Sequence, residues 1–309
     1  AVRAGQRSGR CAGRLASRRQ RPRDTRPAWR LAVPPGPRQR HDGRPQLRPA
    51  RARRRRADRP PGRRAGPVVR AGRRWWRIRG RLPARRRHDR QLGRPFRSDD
   101  RRYVADTGVP MLAVDYRLAP EHPHPTPVED CYAGLTWLVE HAAELNVDPA
   151  RIAVMGDSAG GGLAAGTTLL ARDRGLPVAR QILVYPMLDD RTTTDDPALA
   201  PFLGWSADDN YTGWHALLGD AAGGPEVSSY AAPARASDLS GLPPSYVEVG
   251  ELDLFRDESV DYARRIAAAG ASVELHVHPG CPHGFELIAP DSAVARRARA
   301  DRLRVLKGF

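Results

Sequence analysis

Residues 103–309 of this 309-residue chain predict an α/β fold, with a mostly parallel central sheet and helices on both faces. Three observations carry that expectation. Short apolar runs of buried-strand type alternate with helical stretches, the rhythm of β-α-β units. One of them, Ile152–Met155, passes at once into Gly156-Asp157-Ser158-Ala159-Gly160-Gly161-Gly162 and then into the Ala- and Leu-rich stretch Leu163 to Arg172. Two later runs lead into loops bearing acid–base side chains, Asp253 after Tyr246–Val249 and His283 after Val273–Val277.

Taken in order, Met111-Leu112-Ala113-Val114 reads as a buried strand. Thr126-Pro127-Val128-Glu129 has the form of a capping box with Pro at the first helical position. The helix it opens would set Tyr132, Leu135, Leu138, Val139 and Ala142 on one face, and the strand at Ile152 completes a β-α-β unit. Further strand-like runs lie at Gln181–Tyr185, Tyr246–Val249 and Val273–Val277. Phe202 to Leu218, with Trp205, Tyr211 and Trp214 in an acidic setting, breaks this rhythm and reads as a cap inserted at about 198–222. Its aromatic side chains are expected to serve packing first and substrate contact second.

Residues 1–102 are of another kind. They hold 36 Arg and 6 Asp with no Lys or Glu, a formal charge of +30, against −13 for residues 103–309, so the overall +17 describes neither part. Their few apolar residues follow neither a strand nor a helix period, and the segment reads as low-complexity and disordered. Besides an artefact unrelated to either, two explanations compete. A basic tail of this kind would bind nucleic acid or other polyanions through phosphates. The 51 Arg against the single Lys307 instead indicate a GC-rich gene, and GC-rich DNA read in a wrong frame overproduces Arg, Pro, Gly and Ala. The second is preferred: roughly residues 1–100 are a frame-shifted translation, with the proper frame resuming shortly before Tyr103. Trp75-Trp76-Arg77, moved one base forward, reads Gly-Gly.

Ser158 is the strongest candidate for chemistry. A serine raised above the end of a sheet needs a strained backbone, and side chains two residues to either side would collide, which accounts for Gly156 and Gly160. The following helix points its N-terminus, with the Ala159 backbone N–H, at the position of a developing oxyanion. Such a nucleophile needs a base and the base needs an orienting acid, on loops at the same sheet edge. Asp253 and His283 meet that requirement in the order Ser158, Asp253, His283. Asp257 and Glu251 are ranked below Asp253, and His276 and His278 are read as wall or surface residues. Asp157 is given a structural role. Cys281, near His283, lacks an elbow and is set aside as a nucleophile.

Val114-Asp115-Tyr116-Arg117-Leu118-Ala119-Pro120-Glu121-His122-Pro123, Gly156-Asp157-Ser158-Ala159-Gly160-Gly161, Gly250-Glu251-Leu252-Asp253 and His283-Gly284-Phe285 together resemble the hormone-sensitive-lipase-like branch of the α/β-hydrolase superfamily. The resemblance covers about two thirds of the chain. It implies an α/β-hydrolase fold with a helical cap and a serine carboxylesterase, usually of short-chain acyl esters, working without metal or organic cofactor. Ser158 would attack the ester carbonyl, His283 would carry the proton and Asp253 would hold the imidazole. Arg117 and Glu121 would pin the loop after their strand. A related amidase or deacetylase, or a catalytically impaired relative, is the alternative. One feature of the branch is missing: no His-Gly-Gly occurs in the chain, although the family's spacing would put its oxyanion glycine loop near residues 72–80. The chain as written is therefore expected to be inactive or insoluble. Its 207 readable residues are also short of a full eight-stranded sheet, and the missing strands ought to come from residues 1–102.

Cys11, Cys131 and Cys281 are an odd, scattered set, which fits neither a disulfide framework nor a zinc site and suits a reducing, cytoplasmic compartment. No apolar run reaches the length of a membrane span and the N-terminus lacks a signal-peptide core. Ala1 in place of an initiator Met suggests a truncated start. The expected partner is a small acyl ester, with no specific nucleic acid.

Overall fold

The computed structural model describes residues 29–32, 68–71, 97–194 and 196–308. Strands β1 (Trp29–Ala32), β2 (Val68–Ala71), β3 (Met111–Val114), β4 (Ala153–Asp157), β5 (Arg180–Val184), β6 (Ser245–Leu252) and β7 (Val273–Pro282) form one sheet in the order β1-β3-β2-β4-β5-β6-β7. The β1–β3 pair is antiparallel and every other pair is parallel.

Alternation along the strands decides the layering. Leu112, Val114, Val154, Leu183 and Val247 point to one face, where they meet α2 (Thr126–Glu140), α3 (Ala159–Asp173) and α5 (Arg256–Ala268). Their neighbours Met111, Ala153, Met155, Ile182, Val184 and Tyr246 point to the other, against α1 (Arg97–Thr107) and α7 (Ala293–Lys307). Both faces of the sheet are thus buried, as a parallel sheet requires. The third cluster lies over the carboxyl ends of the strands. There Trp214 and Leu217 of α4 (Ala207–Leu218) pack with Ala119, Met187, Leu254 and Phe255.

Local chemistry explains the helix ends. The Ser206 hydroxyl accepts from Asp209 N at 3.2 Å while the Asp209 carboxylate accepts from Ser206 N at 3.1 Å, a reciprocal cap that starts α4. Ser292 caps α7 through Ala295 N at 3.2 Å. The cap expected at Thr126 is not formed. The helix is flanked by Pro125, which places Thr126 inside the first turn, and the Glu129 carboxylate is drawn instead to the Arg174 guanidinium at 2.6 and 3.0 Å.

The strands read from residues 103–309 all occur, with β6 and β7 longer than expected at their carboxyl ends. Within residues 1–102, where no element was assigned, the structure describes β1, β2 and the first part of α1. β2 lies between β3 and β4, with Ala71 opposite both Val114 and Gly156. The frame-shift and basic-tail readings rest largely on residues outside those described. Among the described residues, no helix is long and apolar enough to cross a membrane, and no group of three His, Cys, Asp or Glu is placed to hold a metal ion.

Candidate active site

β4 ends at Asp157 and α3 begins at Ala159, so Ser158 alone makes the turn between them. Its backbone lies at φ +56° and ψ −124°, a conformation that costs a residue with a side chain about 1–3 kcal/mol. Three backbone hydrogen bonds hold it there. Ser158 N donates to Val184 O at 2.9 Å, and Ser158 O accepts from Gly162 N at 3.1 Å and Met187 N at 3.0 Å. A Cβ on Gly156 would fall on the Gly160 carbonyl oxygen, so the turn closes only with glycine at 156.

Asp253 directly follows β6, and His283 directly follows β7. The parallel sheet delivers both to the edge that displays Ser158. Ser158 Oγ lies 2.9 Å from His283 Nε2, and His283 Nδ1 lies 2.8 Å from Asp253 Oδ2. The other Asp253 oxygen accepts from Phe255 N at 3.0 Å, which orients the carboxylate. With the ring proton on Nδ1, directed at Asp253, Nε2 is the acceptor for the serine hydroxyl. Asp253 and His283 are both buried. The imidazole is flanked by the Tyr185 ring at 4.6 Å and the Phe255 ring at 5.2 Å between centroids, both edge-to-face.

The lower-ranked candidates fall elsewhere. Asp257 is exposed and paired with Arg256 at 2.7 Å, and Glu251 accepts from Gly280 N at 2.7 Å. His276 bonds Glu274 at 2.7 Å, and His278 is buried 3.6 Å from Glu248. Cys281 is buried with its thiol toward Pro279 O, and burial pushes that thiol up. Asp157 is buried at the end of β4. Arg117 does pin its loop, clasping Asp130 of α2 at 2.8 and 3.0 Å, whereas Glu121 is exposed and takes no part in that clasp.

Ala159 carries the first N–H of α3, which has no intrahelical acceptor and sits beside the serine. One strand across, β2 ends level with Gly156, and residues 72–80, expected to hold the oxyanion loop, lie outside the described residues. Next to Ala159 opens a cavity of about 430 Å³, counting its mouth, lined by Tyr116, Leu118, Leu163, Met187, Trp214 and Leu217 among others. The walls are apolar. Trp214 and Leu217 bring α4 into the lining, and α4 is tied down by the backbone bond from His124 N to Leu217 O at 2.9 Å.

A family profile described as an alpha/beta hydrolase fold matches residues 97–287, well over half of the chain. The chain belongs to the hormone-sensitive-lipase-like branch of the α/β-hydrolase family. Hydrolases similar to it in sequence include carboxylesterase NlhH of Mycobacterium tuberculosis, 43% identical over 197 residues, or 60% of this chain and 60% of that protein. Esterase LipI of the same organism is 39% identical over 189 residues, 60% of this chain and 58% of its own. Among solved hydrolase structures, a bacterial heroin esterase superposes with a TM-score of 0.63 at 46% identity, over 68% of this chain and 67% of that one. An esterase of Pyrobaculum calidifontis gives 0.61 at 35% identity, over 67% and 68%. The chain spans about 60% of the length of the curated relatives it matches.

Two features of the site and its surroundings were not read from the sequence. One is the aromatic pair around His283, although Tyr185 closes a strand-like run at the same sheet edge and Phe255 stands two residues past Asp253. The other is a set of buried charges. Burial alone would raise the Glu248 carboxyl, but the Arg302 guanidinium at 2.6 Å, with His278 and Tyr246, outweighs it and holds the group below the usual glutamate range. Among the described residues, no cation of this kind offsets the burial of Glu258. Desolvation pushes it up to about 8, against the hydrogen bonds it accepts from Leu188 N at 2.6 Å and the Thr192 hydroxyl at 2.5 Å.

Proposed function

We propose that this protein is a serine carboxylesterase acting on short-chain acyl esters. The observation that carries the reading is the continuous chain Ser158 Oγ, His283 Nε2, His283 Nδ1, Asp253 Oδ2, with links of 2.9 and 2.8 Å, beside an apolar cavity. Ser158 attacks the ester carbonyl as His283 takes its proton, and His283 returns that proton to the departing alcohol. The acyl group remains on Ser158 until His283 deprotonates a water that attacks the new ester. Asp253 keeps the ring in the required tautomer and stabilises the imidazolium formed at each step. The Ala159 N–H supports the oxyanion, with α4 and its flanks, about residues 198–222, acting as a cap over the acyl or alcohol group. The carboxylesterase and esterase names among the relatives support an ester substrate, and the two buried free thiols, Cys131 and Cys281, suit a cytoplasmic setting.

The remaining oxyanion donors belong to the glycine loop that the sequence lacks, and each missing donor costs turnover a factor of about 10²–10³. A fluorophosphonate probe is expected to label the protein at Ser158, with labelling abolished in Ser158→Ala. Hydrolysis of p-nitrophenyl acetate should be slower by at least that factor than in a version whose residues 1–100 are re-read in the other frame. Labelling that persists in Ser158→Ala would overturn the esterase reading, and equal rates for the two versions would overturn the missing-donor reading.

A further inference from the structure

Tyr185 is the first residue beyond β5, and its backbone lies at φ +34°, a region a bulky side chain enters only when its surroundings hold it there. Its contacts include the following. Its N–H donates to Glu248 O at 2.6 Å, extending the β5–β6 ladder by one residue. Its ring meets the His283 imidazole at 4.6 Å. Its hydroxyl donates to Glu286 Oε1 at 2.5 Å.

Glu286 lies in α6 (Phe285–Ile288), three residues past His283, so the Tyr185–Glu286 bond ties the end of β5 to the loop that carries the imidazole. Arg302 of α7 backs this contact. Its buried guanidinium reaches Glu286 at 3.2 Å and Glu248 at 2.6 Å, supplying the positive charge that two carboxylates on this side of the sheet require. The geometry matters because His283 has to align two ring nitrogens with two partners at once. A ring that turns about its Cβ–Cγ bond loses Ser158, Asp253 or both. Phe255 closes one side of the ring, and Tyr185 closes another.

We infer that Tyr185 is a positioning residue for His283, and that its hydrogen bond to Glu286, backed by Arg302, fixes the imidazole against Ser158. This rests on the assignment of His283 as the general base. It is not a catalytic residue, since its action passes through the ring it braces.

The test places Tyr185→Phe, Glu286→Ala, Glu286→Gln and the Tyr185→Phe/Glu286→Ala double variant in the full-length version whose residues 1–100 are re-read in the other frame, since the chain as written is expected to be inactive. Tyr185→Phe keeps the ring and removes only the hydroxyl, so folding is not at stake. Two readouts are taken: kcat and KM on p-nitrophenyl acetate, and the low-field proton resonance of the His283 Nδ1–H to Asp253 bond, identified by its loss in Asp253→Asn. Tyr185→Phe and Glu286→Ala are each expected to lower kcat about ten-fold with KM within about two-fold, and to broaden the resonance. The double variant should be no worse than either single one, because both remove the same bond. Glu286→Gln, whose amide oxygen still accepts, should restore most of kcat and a sharp signal. A sharp resonance in Tyr185→Phe and Glu286→Ala, or additive losses, would overturn the inference. If the unsubstituted re-read version shows the resonance but no Ser158-dependent hydrolysis, the esterase reading alone is sunk, and the positioning role is then decided by the resonance.

Discussion

At Ser158 the orientation of the nucleophile is a property of the backbone before it is one of the side chain. Three main-chain hydrogen bonds hold the φ of +56°, and the space they close leaves no room for a Cβ at residue 156. Gly156→Ala is therefore expected to destabilise the fold by about 3 kcal/mol. Whatever fraction still folds should no longer react with a fluorophosphonate; thermal unfolding and probe labelling check the two parts. A variant as stable and reactive as the wild type would mean that the turn relaxes. The glycines, the serine and its two partners were legible in the sequence because each sits at a strand end, where residue type and spacing are diagnostic. Tyr185 was not legible in the same way. Nothing in the letters Val184-Tyr185-Pro186 reports a positive φ, and its partner Glu286 is about a hundred residues further along the chain.

At the level of elements, the junction between the loop after β5 and the start of α5 is held by a buried carboxyl. Glu258 bonds the Leu188 backbone and Thr192, whose carbonyl in turn accepts from Asn210 of α4 at 2.7 Å. The folded protein keeps a proton on Glu258 up to about pH 8, while the unfolded chain releases it near the ordinary value of 4.5. Folding then binds a proton over that interval. The contribution of this group to stability is full below pH 4.5 and is lost as pH rises from there through 8. Glu258→Gln removes the titration, so Tm measured between about pH 5 and 8 should fall less steeply than in the wild type. An identical slope would show that Glu258 is ionised in the folded state. Elements with a continuous apolar run, such as β3, were readable to the residue. α6, with four residues, is too short for a period, and the outer half of β7 runs His278-Pro279-Gly280-Cys281-Pro282, with the Pro and Gly that usually signal a loop, so neither carries a pattern that marks its end.

For the whole molecule, the cavity is where sheet, elbow and α4 meet, and Trp214 is its largest wall. It is 3% exposed and packed against Met187 and Leu254 within the cluster above the sheet. Trp214→Ala is expected to cost about 3–5 kcal/mol and to enlarge the cavity. On the esterase reading, the ratio of kcat/KM for p-nitrophenyl hexanoate over acetate should rise; an unchanged ratio would place the acyl chain elsewhere. The sheet order has a different consequence. β2 precedes both of its neighbours in the chain yet lies between them. The ribosome delivers residues 68–71 before β3 or β4 exists, so β2 cannot be paired on both sides until residue 157 has emerged. A chain begun after residue 71 would leave β3 and β4 with two facing rows of unpaired N–H and C=O groups and nothing of its own to fill them. Another molecule's strand would then be the natural occupant, and aggregation the natural outcome.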